Sequence, residues 1–317
     1  MAETTVSVAH AEPARVRHPA RGYAFIVAGV ALFAINGTVS KVILSTGLSA
    51  PRLTELRCAG AVLALGLLVL AVEPRRLRVS RSELPLLAAY GVLGVAFTQC
   101  FYFIAIARLP VSIALLFEYT APVLVALWAR FVMHEQVRSR VWVALGLALS
   151  GLALVAQVWR GGTLDGIGVA AALVAALALA AYYVLGEHST GSRDPLSTTF
   201  WAFVFASVFW ALVQPWWGFP ASSLGGGTSL LGNLAQTSLP VWVLATWMVL
   251  LGTVAPFLLI LSALHHLPAT RVGLVSMLEP VLAGLVAWAW LNEALSPVQL
   301  AGAAVVLLGI VLAQTAR

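Results

Sequence analysis

The sequence predicts an all-α integral membrane protein. Of its 317 residues, 61% are hydrophobic and only 9% are charged, whereas a soluble domain is typically about 25% charged. So few charges cannot cover a surface that faces water, which excludes an ordinary soluble enzyme and a disordered chain. The apolar residues form long runs without a period of two, which excludes the strands of a membrane β-barrel.

Ten apolar segments predict ten transmembrane helices, since a spanning helix needs about 20 apolar residues. Alanine, glycine and leucine dominate these segments, as is typical of helices that pack closely in lipid. A polar tail, residues 1–21, precedes them, and we expect no cleaved leader there. The ten segments are 22–44, 53–72, 84–106, 111–131, 141–159, 166–187, 197–216, 240–263, 270–291 and 298–315.

The basic residues predict that both termini are cytoplasmic. Cytoplasmic loops carry an excess of Arg and Lys, and placing the N-terminus inside puts 13 of the 18 basic residues on that side. The net charge of +6 is therefore assigned to these loops, and we expect no nucleic-acid partner. The five basic residues left for the outer side are Lys41, Arg52, Arg57, Arg108 and Arg160.

The chain repeats itself at an offset of 158 residues, which predicts two related halves, 22–160 and 161–317. Each half holds five helices, and because five is odd the second half enters the membrane from the opposite side. The matched pairs are Leu109-Pro110 with Leu267-Pro268, Pro122 with Pro280, Glu135 with Glu293, and Gly151 with Gly309.

The charges beside the two glutamates agree with this inversion. Glu135 is surrounded by Arg130, Arg138 and Arg140, which are expected on a cytoplasmic loop. Around Glu293 the equivalent positions are Trp288, Ser296 and Val298, as expected for an external loop.

Two motifs resemble the EamA-type domain of the drug/metabolite transporter superfamily. One is Phe117-Glu118-Tyr119-Thr120-Ala121-Pro122-Val123, followed by Glu135 and a glycine-bearing helix; the other is Met277-Leu278-Glu279-Pro280-Val281, followed by Leu291-Asn292-Glu293. Arg57 in the second helix is similar to the family pattern as well. The resemblance implies ten helices in two inverted halves and a plasma-membrane carrier, often an exporter, of amino acids or related metabolites. It does not identify the substrate.

Three charged residues near the outer side are candidates for substrate binding or gating. Charge inside a membrane is costly and usually functional. Glu118 lies about 10 Å below the outer edge at about 1.5 Å per residue, Arg57 lies at a similar depth, and Lys41 ends the first helix nearby. We expect the three to meet, either as a gate or zwitterion site or as a structural ion pair.

Prolines predict a kink in the fourth helix of each half. Pro122 and Pro280 remove the hydrogen bonds to the carbonyls of Glu118 and Ser276, four residues earlier. Those oxygens either bind a substrate ammonium or a proton, or are satisfied by neighbouring groups. Glu279 lies three residues after Ser276, the position equivalent to Glu118, and therefore on nearly the same face of its helix as Ser276. Because it has no evident basic partner at its depth, it is the candidate for reversible protonation.

Further polar residues lie within the predicted spans. They are expected to contact either substrate or neighbouring helices: Asn36, Gln99, Tyr119, Tyr182, Tyr183 and Trp201. A second group lies at the inner ends of helices and is interpreted as an inner gate or as interfacial side chains: Glu187, His265, His266 and Arg271.

The functional prediction is a secondary transporter that exports small amino acids or related metabolites by alternating access. A multidrug or cation efflux carrier is the alternative, because aromatic residues can hold cations. A membrane-embedded enzyme is less favoured, since no nucleophile–base arrangement or metal-ligand spacing is evident. We expect no cofactor and no metal; the partners are the lipid bilayer and the small-molecule substrate.

Overall fold

The computed structural model describes residues 18–106, 108–109, 111–160, 165–292 and 295–314. Most of the predicted tail 1–21 lies outside the described residues, and so do Pro110 and Glu293.

Fourteen α-helices account for most of the described chain. They are α1 Pro19–Leu44, α2 Ala50–Val72, α3 Leu84–Ala89, α4 Thr98–Ile106, α5 Val111–Glu118, α6 Ala121–Phe131, α7 Ser139–Ala156, α8 Gly166–Ser192, α9 Pro195–Val213, α10 Val241–Val249, α11 Ala255–His266, α12 Ala269–Ser276, α13 Glu279–Leu291 and α14 Pro297–Gln314. Short 3₁₀ turns lie at Pro74–Leu77, Val158–Arg160, Trp216–Gly218, Ala221–Leu224 and Gly232–Leu234.

Within the described ranges, nine helical stretches are long and apolar enough to cross a membrane. Leucines on their outer surfaces are exposed, such as Leu67 and Leu212, as expected where lipid replaces water. A tenth apolar helix, Pro297–Ala313, is shorter. The nine are Pro19–Leu44, Pro51–Val72, Leu84–Ala105, Ile113–Phe131, Ser139–Ala156, Gly166–Gly191, Pro195–Val213, Val241–His266 and Ala269–Leu291.

Two of these stretches are broken in the middle, at equivalent positions of the repeat. Helix α5 ends at Glu118 and α12 ends at Ser276; α6 begins at Ala121 and α13 at Glu279, so both pairs differ by 158 residues. Pro122 and Pro280 stand in the first turn of the second piece, where the missing N–H costs no hydrogen bond. Each helix is thus interrupted for two residues just before its proline-bearing turn, where the sequence predicts a kink.

Two further stretches contain a π-helical segment, which the sequence analysis does not predict. Tyr90–Phe97 joins α3 to α4, and Leu250–Val254 joins α10 to α11. Subtracting 158 from the second segment gives 92–96, inside the first segment. The repeat therefore extends to these segments, and π-helical turns are frequent at functional sites.

The first helix of each half packs against the other half. Helix α1 packs against α11 and α13, and α8 packs against α4, α5 and α6. Helix α2 packs against α9, and α7 against α14. The contacts of α1 with the second half thus correspond to those of α8 with the first, and α2–α9 and α7–α14 each join equivalent helices. This is the pattern expected for two halves related by a pseudo-two-fold axis.

The long connection between α9 and α10 holds a small sheet, which departs from the all-α prediction. Strand β1, Gly227–Ser229, pairs antiparallel with β2, Ser238–Pro240. Trp290 at the end of α13 donates its indole N–H to the carbonyl of Leu230 at 2.8 Å. The connection is thus fixed to one end of the helix bundle.

Candidate substrate-binding cavity

A cavity of about 650 Å³ lies between the two halves. Its wall reaches one end of the bundle at Lys41 and Leu44 of α1, Leu291 of α13 and Gln299 of α14. We call this the Lys41 end. In the other direction the wall stops near Tyr183 and Ile260. The cavity therefore extends from one end of the bundle to about its middle.

The opposite end, which we call the Glu187 end, is closed by packed helices. A Cβ added to Gly186 of α8 would lie 2.9 Å from a methyl of Leu264 in α11, so the two helices touch there. Glu187 accepts a 2.8 Å hydrogen bond from the backbone N–H of Ala269, at the start of α12. His265 lies 3.3 Å from the carbonyl of Thr190. These contacts join α8, α11 and α12.

Arg57 lies in the cavity wall, buried in the first third of α2. Its Nη1 donates to Oε1 of Gln99 at 2.9 Å, and its Nε donates to Oγ1 of Thr253 at 3.1 Å. Its Nη2 lies 3.5 Å from the carbonyl oxygen of Gly252. The guanidinium is thus held by the third span of the first half and by the π-helical segment of the second.

Glu279 also lies in the cavity wall, in the first turn of α13. Its Oε2 accepts a 2.7 Å hydrogen bond from the hydroxyl of Tyr119. The positive end of the α13 dipole favours an anionic side chain at this position. Arg57 is close enough to interact electrostatically with this carboxylate.

Glu118 ends α5 in the same wall and is buried. Its carboxylate forms no hydrogen bond or ion pair with any group in the described part of the chain. The C-terminal end of a helix disfavours an anion, and Glu279 lies near enough to repel it. Glu118 is therefore the acidic group in the cavity that most needs a cationic partner.

The expected proximity of Arg57 and Glu118 is realised only in part. Both side chains line one cavity, as does Lys41, but Arg57 makes no ion pair with Glu118. Glu279 forms no ion pair within the described chain; its partners are the Tyr119 hydroxyl, by a hydrogen bond, and Arg57, by a longer-range electrostatic interaction. Arg57 of α2 and Glu279 of α13 line the same cavity.

Most of the other predicted site residues line the cavity, and some do not. Trp201 and Pro122 are absent from its described wall, and Trp201 instead packs against Phe200 and Phe205. Arg271 lies in a separate pocket of about 250 Å³ with Glu135 and Arg138, apart from Glu187 and His265. The predicted residues that do line the cavity are Asn36, Lys41, Arg57, Gln99, Glu118, Tyr119, Tyr182, Tyr183, Glu279 and Pro280.

Sequence reasoning misses two polar residues of the site. Thr253, fully buried, binds Arg57, and Tyr102 lies in the wall near both carboxylates. Thr253 follows Gly252, which is 158 residues after Gly94, so extending the repeat to these glycines would have drawn attention to it. Within the described ranges, no three His, Cys, Asp or Glu side chains are grouped closely enough to hold a metal ion.

The arrangement suits a small ligand that carries both charges. Arg57 offers N–H donors to a carboxylate, and Glu118 offers an unpaired carboxylate to an ammonium group. Both groups face one cavity whose other wall positions are largely apolar, including Phe33, Leu116 and Phe257. Such a cavity can accept a zwitterion and a modest apolar side chain.

Comparison with known proteins shows that this chain is similar to transporters. Residues 20–157 and 166–315 each match the EamA-like transporter family. The threonine/homoserine exporter RhtA of Escherichia coli (strain K12) is 31% identical over 255 residues, which are 79% of this chain and 77% of that protein. An uncharacterized transporter of Archaeoglobus fulgidus is 29% identical over 247 residues, 77% of this chain and 82% of that protein.

The fold itself is also similar to a solved structure. A crystal structure that shares 19% sequence identity superimposes with a TM-score of 0.72 and covers 92% of this chain and 96% of its own. At this identity the likeness concerns the fold alone.

Proposed function

Because this chain belongs to the EamA-like transporter family, we propose that it exports small amino acids or related metabolites across the plasma membrane by alternating access. The chain is a multi-pass membrane protein of the plasma membrane. The finer proposal has ten spans in two inverted halves, with both termini in the cytoplasm. In that topology the Lys41 end is external and the Glu187 end is cytoplasmic.

One observation carries the substrate proposal. A buried base, Arg57, and a buried acid without a partner in the described chain, Glu118, line the same cavity in the middle of the bundle. Burying either charge in a membrane costs free energy, and the ammonium and carboxylate of an amino acid would compensate both charges at once. The similarity to a threonine/homoserine exporter supports the same substrate class.

The cavity also suggests how transport proceeds. It reaches the Lys41 end and is closed at the Glu187 end, which in the proposed topology is an outward-facing conformation. We propose that Glu187 and His265 act as the inner gate and that Pro122 and Pro280 are hinges at the helix breaks. Arg271, which lies in the separate pocket, is left out of this gate.

The proposal is tested by overexpressing the chain in bacteria challenged with a toxic excess of L-threonine or homoserine. Export should raise the tolerated concentration, and Arg57→Gln produced at the same level should not. Tolerance that is the same with and without the protein, for these and other small amino acids, would contradict the proposal.

A cation efflux carrier is the second candidate function. Glu118 and Glu279 give the cavity two acids, and aromatic rings such as Phe33, Tyr102 and Phe257 lie in its wall, where they can hold an organic cation. Tolerance to lipophilic cations, without any effect on amino acids, would favour this candidate over amino-acid export.

A further inference from the structure

We propose that Thr253 and Gln99 are positioning residues that hold Arg57 as the anchor for a substrate carboxylate, which restricts the carrier to cargo with a free carboxylate. This inference rests on the proposed function, because it names the group that fixes the substrate in the same cavity. Gln99 lies in α4 of the first half, and Thr253 lies in the π-helical segment Leu250–Val254 of the second half.

The guanidinium of Arg57 has donors to spare. Arginine has five N–H groups, and three of them point to Gln99, Thr253 and the Gly252 carbonyl. In the described part of the chain no carboxylate oxygen lies within ion-pair distance of it, and Glu279 acts on it only at longer range. A buried cation without an ion pair is costly, so a carboxylate ligand has both free donors and an incompletely compensated charge to bind.

Thr253 is held in one orientation by the π-helical segment. Its hydroxyl donates to the carbonyl of Met248, five residues earlier, at 2.9 Å. With its proton used in this way, Oγ1 presents a lone pair to Nε of Arg57 at 3.1 Å. Thr253 is fully buried, so water does not compete for this bond. The Thr253 hydroxyl therefore fixes one edge of the guanidinium.

The segment around Thr253 has little room to shift. A Cβ added to the neighbouring Gly252 would lie 2.1 Å from Oδ1 of Asn36 on α1. Helix α1 is thus packed directly on the backbone whose carbonyl approaches Arg57. The position of the guanidinium is set by this packing as well as by its own hydrogen bonds.

Gln99, which lies in the first half of the chain with Arg57, holds the guanidinium on the side away from Thr253 of the second half. Its Oε1 accepts from Nη1 at 2.9 Å, and Gln99 itself lies in the cavity wall. The anchor is therefore held between α4 and the segment Leu250–Val254. A planar carboxylate can use two N–H groups of a fixed guanidinium, whereas a neutral amide offers neither the charge nor two acceptors.

The test is counterflow of labelled L-threonine in proteoliposomes with Thr253→Val, which removes the hydroxyl and keeps the shape. We expect KM for L-threonine to rise about tenfold, which is the size of a charge-assisted hydrogen bond, with little change in kcat. Inhibition by L-threonine amide and by 1-amino-2-propanol, which lack the carboxylate, should be weak in the wild type and unchanged in the variant. Thr253→Ser, which keeps the hydroxyl, should restore the KM.

The matched control is Thr199→Val. Thr199 is buried in α9, bonds the carbonyl of Pro195 in its own helix at 2.7 Å, and is outside the described cavity wall. If Thr253→Val does not reach wild-type levels in the membrane, Gln99→Met removes the other acceptor and should raise the same KM. These variants separate loss of the anchor from a general loss of packing.

Three results would overturn the inference. The first is a KM for L-threonine in Thr253→Val equal to that in Thr199→Val. The second is an equal weakening of the binding of L-threonine and of its amide by Thr253→Val. The third is a Thr253→Ser variant whose KM stays raised. If Arg57→Gln abolishes counterflow while Thr253→Val is normal, the positioning role fails and the proposed function stands. If the wild type carries no amino acid, the proposed function fails and this inference fails with it.

Discussion

At the scale of single residues, the two buried charges of the cavity differ in how they are satisfied. Arg57 is surrounded by three acceptors from two segments, whereas the Glu118 carboxylate forms no hydrogen bond or ion pair in the described chain. A charge that gains little from the protein around it is costly in the membrane. We therefore expect Glu118 to bind the ligand. We expect Arg57 both to bind the ligand and to hold the neighbouring helices together.

Glu118→Gln is the residue-scale prediction for binding. The substitution keeps the volume and removes a charge that has no partner in the described chain, so the variant should be at least as stable as the wild type. Loss of the ion pair to the substrate ammonium should raise the half-saturating concentration of L-threonine by about tenfold or more. Counterflow kinetics and thermal unfolding in detergent measure the two effects.

The control for this variant is Glu135→Gln, at an exposed position away from the main cavity. It should leave both quantities unchanged. A Glu118→Gln protein with wild-type kinetics would show that this acid is not part of the binding site.

The sequence could identify these residues but not their partners. A charge within an apolar run stands out in the sequence, and Arg57, Glu118 and Glu279 all have this property. The partners of Arg57 come from 42 and 196 residues away, and no local pattern contains that information. The expected pairing of Arg57 with Glu118 was therefore replaced by contacts to Gln99 and Thr253.

At the scale of elements, the helix breaks were predictable and the π-helical segments were not. Proline has a fixed physical effect on the carbonyl four residues earlier, and α5 and α12 do end at Glu118 and Ser276. A π-helical turn adds one residue to a turn without a characteristic composition. Its only trace in the sequence is the pair Gly94 and Gly252 at the repeat offset.

Helices α7 and α14 provide the element-scale prediction for stability. A Cβ added to Gly151 would lie 2.7 Å from the carbonyl oxygen of Gly302, whereas one added to Gly146 of the same helix meets nothing within 4 Å. Gly151→Ala should therefore destabilise the protein by about 1–3 kcal/mol through overpacking. Gly146→Ala is the matched control and should be neutral or slightly stabilising.

Thermal unfolding in detergent compares these two variants. The unfolding midpoint of Gly151→Ala should fall by several degrees relative to Gly146→Ala. Equal midpoints would mean that α7 and α14 are not in backbone contact.

A network of charges joins the connection after α2 to the turn between α8 and α9. Arg193 binds Glu83 at 2.9 Å and the carbonyl of Arg78 at 2.9 Å, and Arg76 binds Asp194 at 3.3 Å. Hydrogen bonds from Arg193 and Ser80 lower the pKa of Glu83 to about 2. The network thus ties the first half of the chain to the second.

Glu83→Gln tests this network through pH. The folded-state pKa of Glu83 lies below its unfolded value of about 4.3, so ionised Glu83 stabilises the fold above that pH, and the effect is lost as the pH falls towards 2. At pH 7 the variant should be destabilised by about 1 kcal/mol. The difference from wild type should shrink below about pH 4 and vanish near pH 2.

Thermal unfolding of both proteins at several pH values measures this difference, with Glu135→Gln as the exposed control. A difference of constant size from pH 7 to pH 2 would show that the Glu83 carboxylate is not the source of the stability.

At the scale of the whole molecule, the repeat is the feature that organises both fold and site. The cavity lies between the halves. The helix break occurs once in each half at the repeat offset, and the π-helical segments of the two halves overlap at the same offset. Composition and the repeat were sufficient to predict a helical membrane protein with related halves. The closed Glu187 end could not be predicted, because it depends on how α8, α11 and α12 pack in one conformation.

The proposed inversion of the two halves predicts that equivalent loops are exposed on opposite sides of the membrane. Single cysteines replace Gln136 and, 158 residues later, Ala294, in a protein without Cys58 and Cys100. An impermeant thiol reagent should label position 294 on intact cells and position 136 only after the cells are opened. Equal labelling of both positions on intact cells would contradict the inverted topology.

The central claim is that one cavity carries a small amino acid, and counterflow in proteoliposomes tests it most directly. Vesicles loaded with unlabelled L-threonine or homoserine should accumulate labelled L-threonine from outside above the level of protein-free vesicles. Arg57→Gln and Glu118→Gln, reconstituted in equal amount, should lose most of that accumulation. Accumulation of labelled lipophilic cations but of no amino acid, or full activity of both variants, would contradict the account.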